Sequence, residues 1–238
     1  MKFYELCGNE IDRSEFIKKY GTSYYIDQPR YIPRVGQSSK TVEYIIDSLL
    51  KNGIKEPLDV VHILAWKLGK IRHHESNDGF VYAKDWEKAE EFNITRYGRA
   101  FNIESISNYI ANNIENLEVK SETNPQGVLD ELKDQNIDGI GTVYLLTLLY
   151  FISRGKYPIY DRFALAAVKA ICDDKKPGEI ITVPDLPDKK SRDFKNVFDK
   201  HMVPFMGKLD DAFGSLYREN RNVDRALWVY GHAFHINK

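Results

Sequence analysis

"NIDGIGTVYLLTLLYFISRGKYPIYDRFALAAVKAI", residues 136–171, decides how the chain is read. Two glycines, Gly139 and Gly141, open a very apolar helical run. A lone carboxylate, Asp161, stands among aromatic and aliphatic residues twenty positions after Gly141. "DGIG" leaves only four or five residues between two helical patterns. A turn that short needs positive φ or close backbone approach, and glycine supplies both cheaply. The second helix starts near Thr142, so its unbonded N–H groups and positive dipole end point out of the turn. Such an end suits an anion, phosphate in particular. A plain corner between helices would use the same glycines. Asp161 follows Pro158 and precedes "RFALAAVKAI". An aspartate there caps the next helix whatever else it does.

Outward from this segment, helical patterns follow almost without pause. "DRSEFIKKY" (12–20) is a short helix, and "YIDQPRYIPRVGQSSK" (25–40) is a loop or arm broken by two prolines. "SSKTVEYIIDSLLKNG" (38–53) has a serine cap, an apolar face at Val42, Ile45, Ile46 and Leu49, and a closing glycine. "EPLDVVHILAWKLGKI" (56–71) starts with proline, "NIESISNYIANNIENL" (102–117) is amphipathic, and "NPQGVLDELKDQ" (124–135) begins at Pro125. "TVYLLTLLYFIS" (142–153) is apolar all round and belongs in the middle of the fold. "DRFALAAVKAICDD" (161–174) follows, then one long helix or two over 187–220, broken near Pro204, and "NVDRALWVYGHAF" (222–234) closes the chain. Strand signals are poor. "EIITVPDL" (179–186) is the best, and its proline and shortness make it an edge strand or a loop. The expected class is all-α, with roughly nine to eleven helices. Residues 1–40 read as an N-terminal helix and irregular arm, and 41–238 as an all-α domain.

The chain has 238 residues, 42% hydrophobic and 29% charged, enough to bury a sizeable core. It holds no apolar run long enough to span a membrane, and its first residues carry acids too early for a secretory signal. Cys7 and Cys172 are far apart and lack a CxxC partner, which points to a reducing, cytoplasmic setting. A net charge of -1 argues against a strongly basic nucleic-acid binder but leaves room for a local basic face. His232 and His235 are three apart, and two histidines alone make a poor metal site. No P-loop, dinucleotide fingerprint or serine-hydrolase motif is present.

Taken in order, a helix, "IDGIG", an apolar helix and "KYPIYDRFA" resemble the helix-hairpin-helix DNA glycosylase superfamily, nearest its 8-oxoguanine glycosylase and endonuclease III branches. The resemblance covers residues 128–172, about a fifth of the chain. It implies a multi-helix glycosylase-like fold in which a glycine/proline-rich loop ends in an essential aspartate, with Asp161 at the catalytic position. "IDGIG" lacks the proline common in such hairpins. Bifunctional members place a lysine two residues after the second hairpin glycine, for Schiff-base chemistry. Here that residue is Val143. The resemblance therefore implies a monofunctional enzyme, or a catalytically inactive relative that binds DNA or a protein partner.

What it further implies is a flipped damaged base in double-stranded DNA, cleaved at its N-glycosidic bond. Gly139, Gly141, Thr142 and Val143 would hold a backbone phosphate, helped by Arg154, Lys156 and Arg72. Trp66, Tyr97, Phe101 and Tyr144 are the aromatics that could stack on the base. The carbonyls of Ile137 and Ile140 could hold a monovalent cation, and no other cofactor is implied. "GKIRHHES" (69–76) and "TRYGRAF" (95–101) read as a basic helix end and a basic loop. Oligomeric state is open, monomer included.

Overall fold

The computed structural model describes residues 1–73, 80–96, 98–135 and 138–237, leaving out the side chains of His73 and Arg96. In chain order the first elements are β1 (Phe3–Tyr4), β2 (Glu10–Ile11), α1 (Arg13–Ser23), α2 (Lys40–Asn52) and α3 (Pro57–Lys67). Next come β3 (Ile71–His73), β4 (Phe80–Tyr82), β5 (Asn93–Arg96), β6 (Arg99–Asn102), α4 (Glu104–Thr123), α5 (Pro125–Asp134) and α6 (Thr142–Ile152). The last are α7 (Arg162–Cys172), β7 (Ile180–Thr182), α8 (Val203–Phe213), α9 (Leu216–Glu219), α10 (Asn222–Gly231) and β8 (His235–Asn237). None of the helices among the described residues is long and apolar enough to cross a membrane.

The chain divides into two compact units, and the segment that opened the reading is shared between them. The first unit takes Met1–Gln37, Pro158–Leu186 and Asp199–Lys238. In it α1 packs on α10, α10 on α7, and α7 on α8. Asp12 starts α1 by accepting the Glu15 N–H at 2.8 Å. Phe16 and Tyr20 then lie one turn apart on the buried face. Their rings join Tyr230 at centroid distances of 5.0 Å each, and Phe3 lies 5.1 Å from Phe16. Each such ring contributes about 1.5–3 kcal/mol by leaving water. α10 crosses α7 at Gly231, where an added Cβ would fall 2.0 Å from the Phe163 carbonyl oxygen. No larger residue permits that approach. β7 and β8 pair in parallel, with Ile181 opposite Ile236.

The second unit takes Ser38–Tyr157 and Pro187–Phe198. Every residue of α6 except Val143 is buried, as its unbroken apolar run requires. α3, α4 and α5 all pack against it. Ser39 caps α2 by accepting the Val42 N–H at 3.2 Å. A reciprocal Glu56–Asp59 pair caps α3, with Pro57 in its first turn.

Helices dominate, but the all-α expectation needs correction. Four two-stranded sheets occur among the described residues. "TRYGRAF" is not a loop: Thr95 pairs with Ala100 in the antiparallel β5–β6 hairpin. Buried Trp86 anchors it, donating its indole N–H to the Thr95 carbonyl at 2.8 Å. In "GKIRHHES" the helix has already ended, and Ile71 and Arg72 pair with Tyr82 and Val81 in β3–β4, while residues 74–76 lie outside the described residues. The 187–220 stretch is also more broken than one long helix. A 3-10 turn at Arg192–Asn196 leads to a π-helical turn at Phe198–Met202, and α8 begins at Val203. Pro204 accounts for the break, because it has no N–H to donate to the preceding turn and its ring crowds that turn's carbonyl.

Candidate nucleic-acid interface

The turn between α5 and α6 begins with Asp138 and Gly139. Asn136 and Ile137 lie outside the described residues, and with them half of the expected carbonyl pair for a cation. Gly139 has φ +80°. An ideal Cβ on it would meet the Phe101 ring at 2.6 Å. This glycine is therefore fixed twice, by conformation and by space. Ile140 follows with its side chain in the core. Gly141 has an ordinary φ of -94°, and nothing lies within 4 Å of a Cβ built there. It is the N-cap of α6, and no side chain caps that end. The backbone N–H groups of the first turn of α6 therefore have no side-chain acceptor from a capping residue. The Thr142 hydroxyl does not face outward for a ligand: it donates to the Pro187 carbonyl at 2.5 Å. Val143 is half-buried and carries no amine.

Arg154 and Lys156 lie beyond the far end of α6 from this turn. Arg154 has φ +52° just beyond the far end of α6. A helix of 11 residues puts that end roughly 15 Å from Thr142. The Arg154 guanidinium is already engaged: Nε donates to Glu118 Oε1 at 2.6 Å and Nη1 to the Lys51 carbonyl at 3.0 Å. It closes the last turn of α2. Lys156 Nζ donates to the Glu122 carbonyl at 3.2 Å, so it also serves the end of a helix. Arg72 is exposed on β3.

Of the four aromatics, Trp66, Phe101 and Tyr144 are described. Trp66 is a core residue, 4% exposed, with its indole N–H given to Glu43 Oε1 at 2.6 Å and its ring edge-on to Phe151. Tyr144 is buried in α6, and Phe101 covers Gly139. Tyr97 lies outside the described residues.

Asp161 belongs to the other unit. It is half-buried, has extended backbone angles, and accepts the Phe163 N–H on Oδ1 at 2.8 Å. The helix-cap reading of this residue is therefore realised. Around it stands an aromatic group. The Phe163 ring stacks on the His232 imidazole at 3.7 Å, and the Arg162 guanidinium lies 4.7 Å from the centre of the Phe163 ring. His232 Nδ1 lies 2.8 Å from the Trp228 carbonyl and so donates to it. Burial holds His232 below the usual histidine range, against the pull of the Trp228 carbonyl and the Asp161 charge. Burial, reinforced by Asp161, pushes the Tyr160 phenol up to about 12. The carboxylate thus acts on an imidazole and a phenol that are both held neutral near pH 7.

A basic cleft was not foreseen. Lys133 of α5 meets Lys189, Lys190, Ser191 and Arg192 around a cavity of about 310 Å³ in the second unit. The signal was "PDKKSR", whose basic residues were absorbed into a helical pattern.

No family model, curated protein or solved structure matches this chain. Among the described residues no group of three or more histidine, cysteine or acidic side chains is placed to hold a metal ion.

Proposed function

We propose that the chain binds DNA through the Gly139–Gly141 turn and is a monofunctional DNA glycosylase of the helix-hairpin-helix kind. The carrying observation is the different use of the two glycines. Gly139 is demanded by the turn, whereas Gly141 has an ordinary φ, open space at its Cβ position and no side chain capping the helix it starts. An open, uncapped helix start suits a phosphate oxygen. Asp161, twenty residues on, would supply the carboxylate that stabilises the oxocarbenium-like state of glycosidic cleavage and orients a water. Val143 offers no amine, so no Schiff base forms at that position. A cation on the Ile140 carbonyl belongs to the same proposal.

Asp161's engagement as a helix cap favours a second reading, a protein of this fold that binds DNA without cleaving it. Base release from lesion-bearing duplexes separates the two. Release that disappears in Asp161→Asn, with duplex binding kept, supports the enzyme. Duplex binding without release from any lesion supports the binder.

A further inference from the structure

We infer that the Lys133–Arg192 cleft is a second phosphodiester subsite, gripping an internucleotide phosphate of the strand that the glycine turn engages. It rests on the DNA-binding part of the proposed function. Four cationic side chains line the cavity, and no acid does. The acids near it are Asp134, 3.6 Å from Lys133, and Asp138, 3.5 Å from Lys190, with Asp188 adjoining Lys189. The Lys190–Asp138 pair is exposed on both sides and contributes little. Arg192 forms no ion pair among the described residues. Four cations thus stand beside three acids, a formal excess of one positive charge.

Its chemistry matches a phosphodiester. An arginine fork, lysine ammonium groups and a serine hydroxyl are the donors that phosphate oxygens accept from. Ser191 Oγ accepts the Asp193 N–H at 3.2 Å, which leaves its proton to donate. Burial holds the Lys189 ammonium below its usual range, against the pull of Asp138.

Its position matches the turn. The Thr142 hydroxyl holds the Pro187 carbonyl, and Asp138 of the turn reaches Lys190. The Thr142 hydroxyl thus holds the basic segment beside the helix start where the first phosphate would sit. A free phosphate ion could use the same donors, and a strand would use both places together.

The test is the salt dependence of binding to an undamaged duplex oligonucleotide, followed by fluorescence anisotropy. In Lys190→Gln/Arg192→Gln, two exposed positions, binding should weaken roughly tenfold or more near physiological salt, and the log–log salt slope should fall by about two. Lys195→Gln, exposed but outside the cleft, should leave the slope unchanged. Excess inorganic phosphate, at constant ionic strength, should compete only weakly. An unaltered slope in the double variant overturns the cleft while leaving the turn as a DNA site. Saturable inorganic-phosphate binding that the double variant abolishes, with an unaltered duplex slope, overturns it in favour of a free anion. No duplex binding by the unmutated chain removes both the cleft and the proposed function.

Discussion

The ring of Phe101 occupies the space that any side chain on Gly139 would need, at 2.6 Å from an ideal Cβ. A residue of β6 thereby fixes the shape of the turn that opens α6. Gly139→Ala combines this clash with a positive φ and should destabilise the protein by about 1–3 kcal/mol. Gly141→Ala meets neither obstacle. Its poorer cap is offset by reduced unfolded-state freedom, so the change should stay within roughly 0.5 kcal/mol. Urea denaturation of the two variants checks this, and equal losses would contradict it.

Trp66 is predicted to be a stability residue. Trp66→Phe removes the N–H that buried Glu43 accepts, at a cost of about 1.5–3 kcal/mol. Duplex affinity measured well below the melting temperature should not change. A selective loss of binding or base release, with stability intact, would return Trp66 to a base pocket.

Arg154 is predicted to act on α2. Arg154→Met removes the ion pair to Glu118 and the donor to the Lys51 carbonyl. Both groups are partly exposed, so the expected loss is about 1 kcal/mol. The salt slope of duplex binding should be unaltered, and a slope smaller by about one would show a phosphate contact instead.

His62 gives the fold a pH dependence. Its ring lies 4.5 Å from Phe80 and 6.1 Å from Tyr82, and burial lowers its pKa to about 4 from 6.5. Below pH 6.5 the unfolded chain takes up a proton that the folded chain refuses until about pH 4. This contribution is therefore complete above 6.5 and is lost as pH falls through that window, by about 3 kcal/mol. His62→Phe should flatten the fall in denaturation midpoint between pH 7 and 4.5. An identical fall in the variant would contradict the assignment.

The helices were legible because their ends are written in single residues. Ser39, Pro57, Pro125 and Asp161 each stand at or beside a start, and Gly53 at an end. The small hairpins were not legible. Strands such as "IRH" and "NITR" span three or four residues and are too short to show alternation. At the site, Gly139 was readable because its backbone need is local. The aromatics were not, since indole or phenol in a sequence does not separate core from surface, and Trp66 went to the core. The basic cleft was hidden because Lys133 reaches residues 189–192 only through the fold.

Asp161→Asn bears most directly on the proposed chemistry. Asparagine caps a helix as well as aspartate does, so the Phe163 N–H keeps its acceptor while the charge is lost. The measurement is base release from a panel of lesion-bearing duplexes by the unmutated chain and the variant. The expected result is release from at least one lesion, reduced a hundredfold or more by Asp161→Asn, with melting temperature and salt-sensitive duplex binding preserved. Equal release by the variant, or none from any lesion by the unmutated chain, would contradict it.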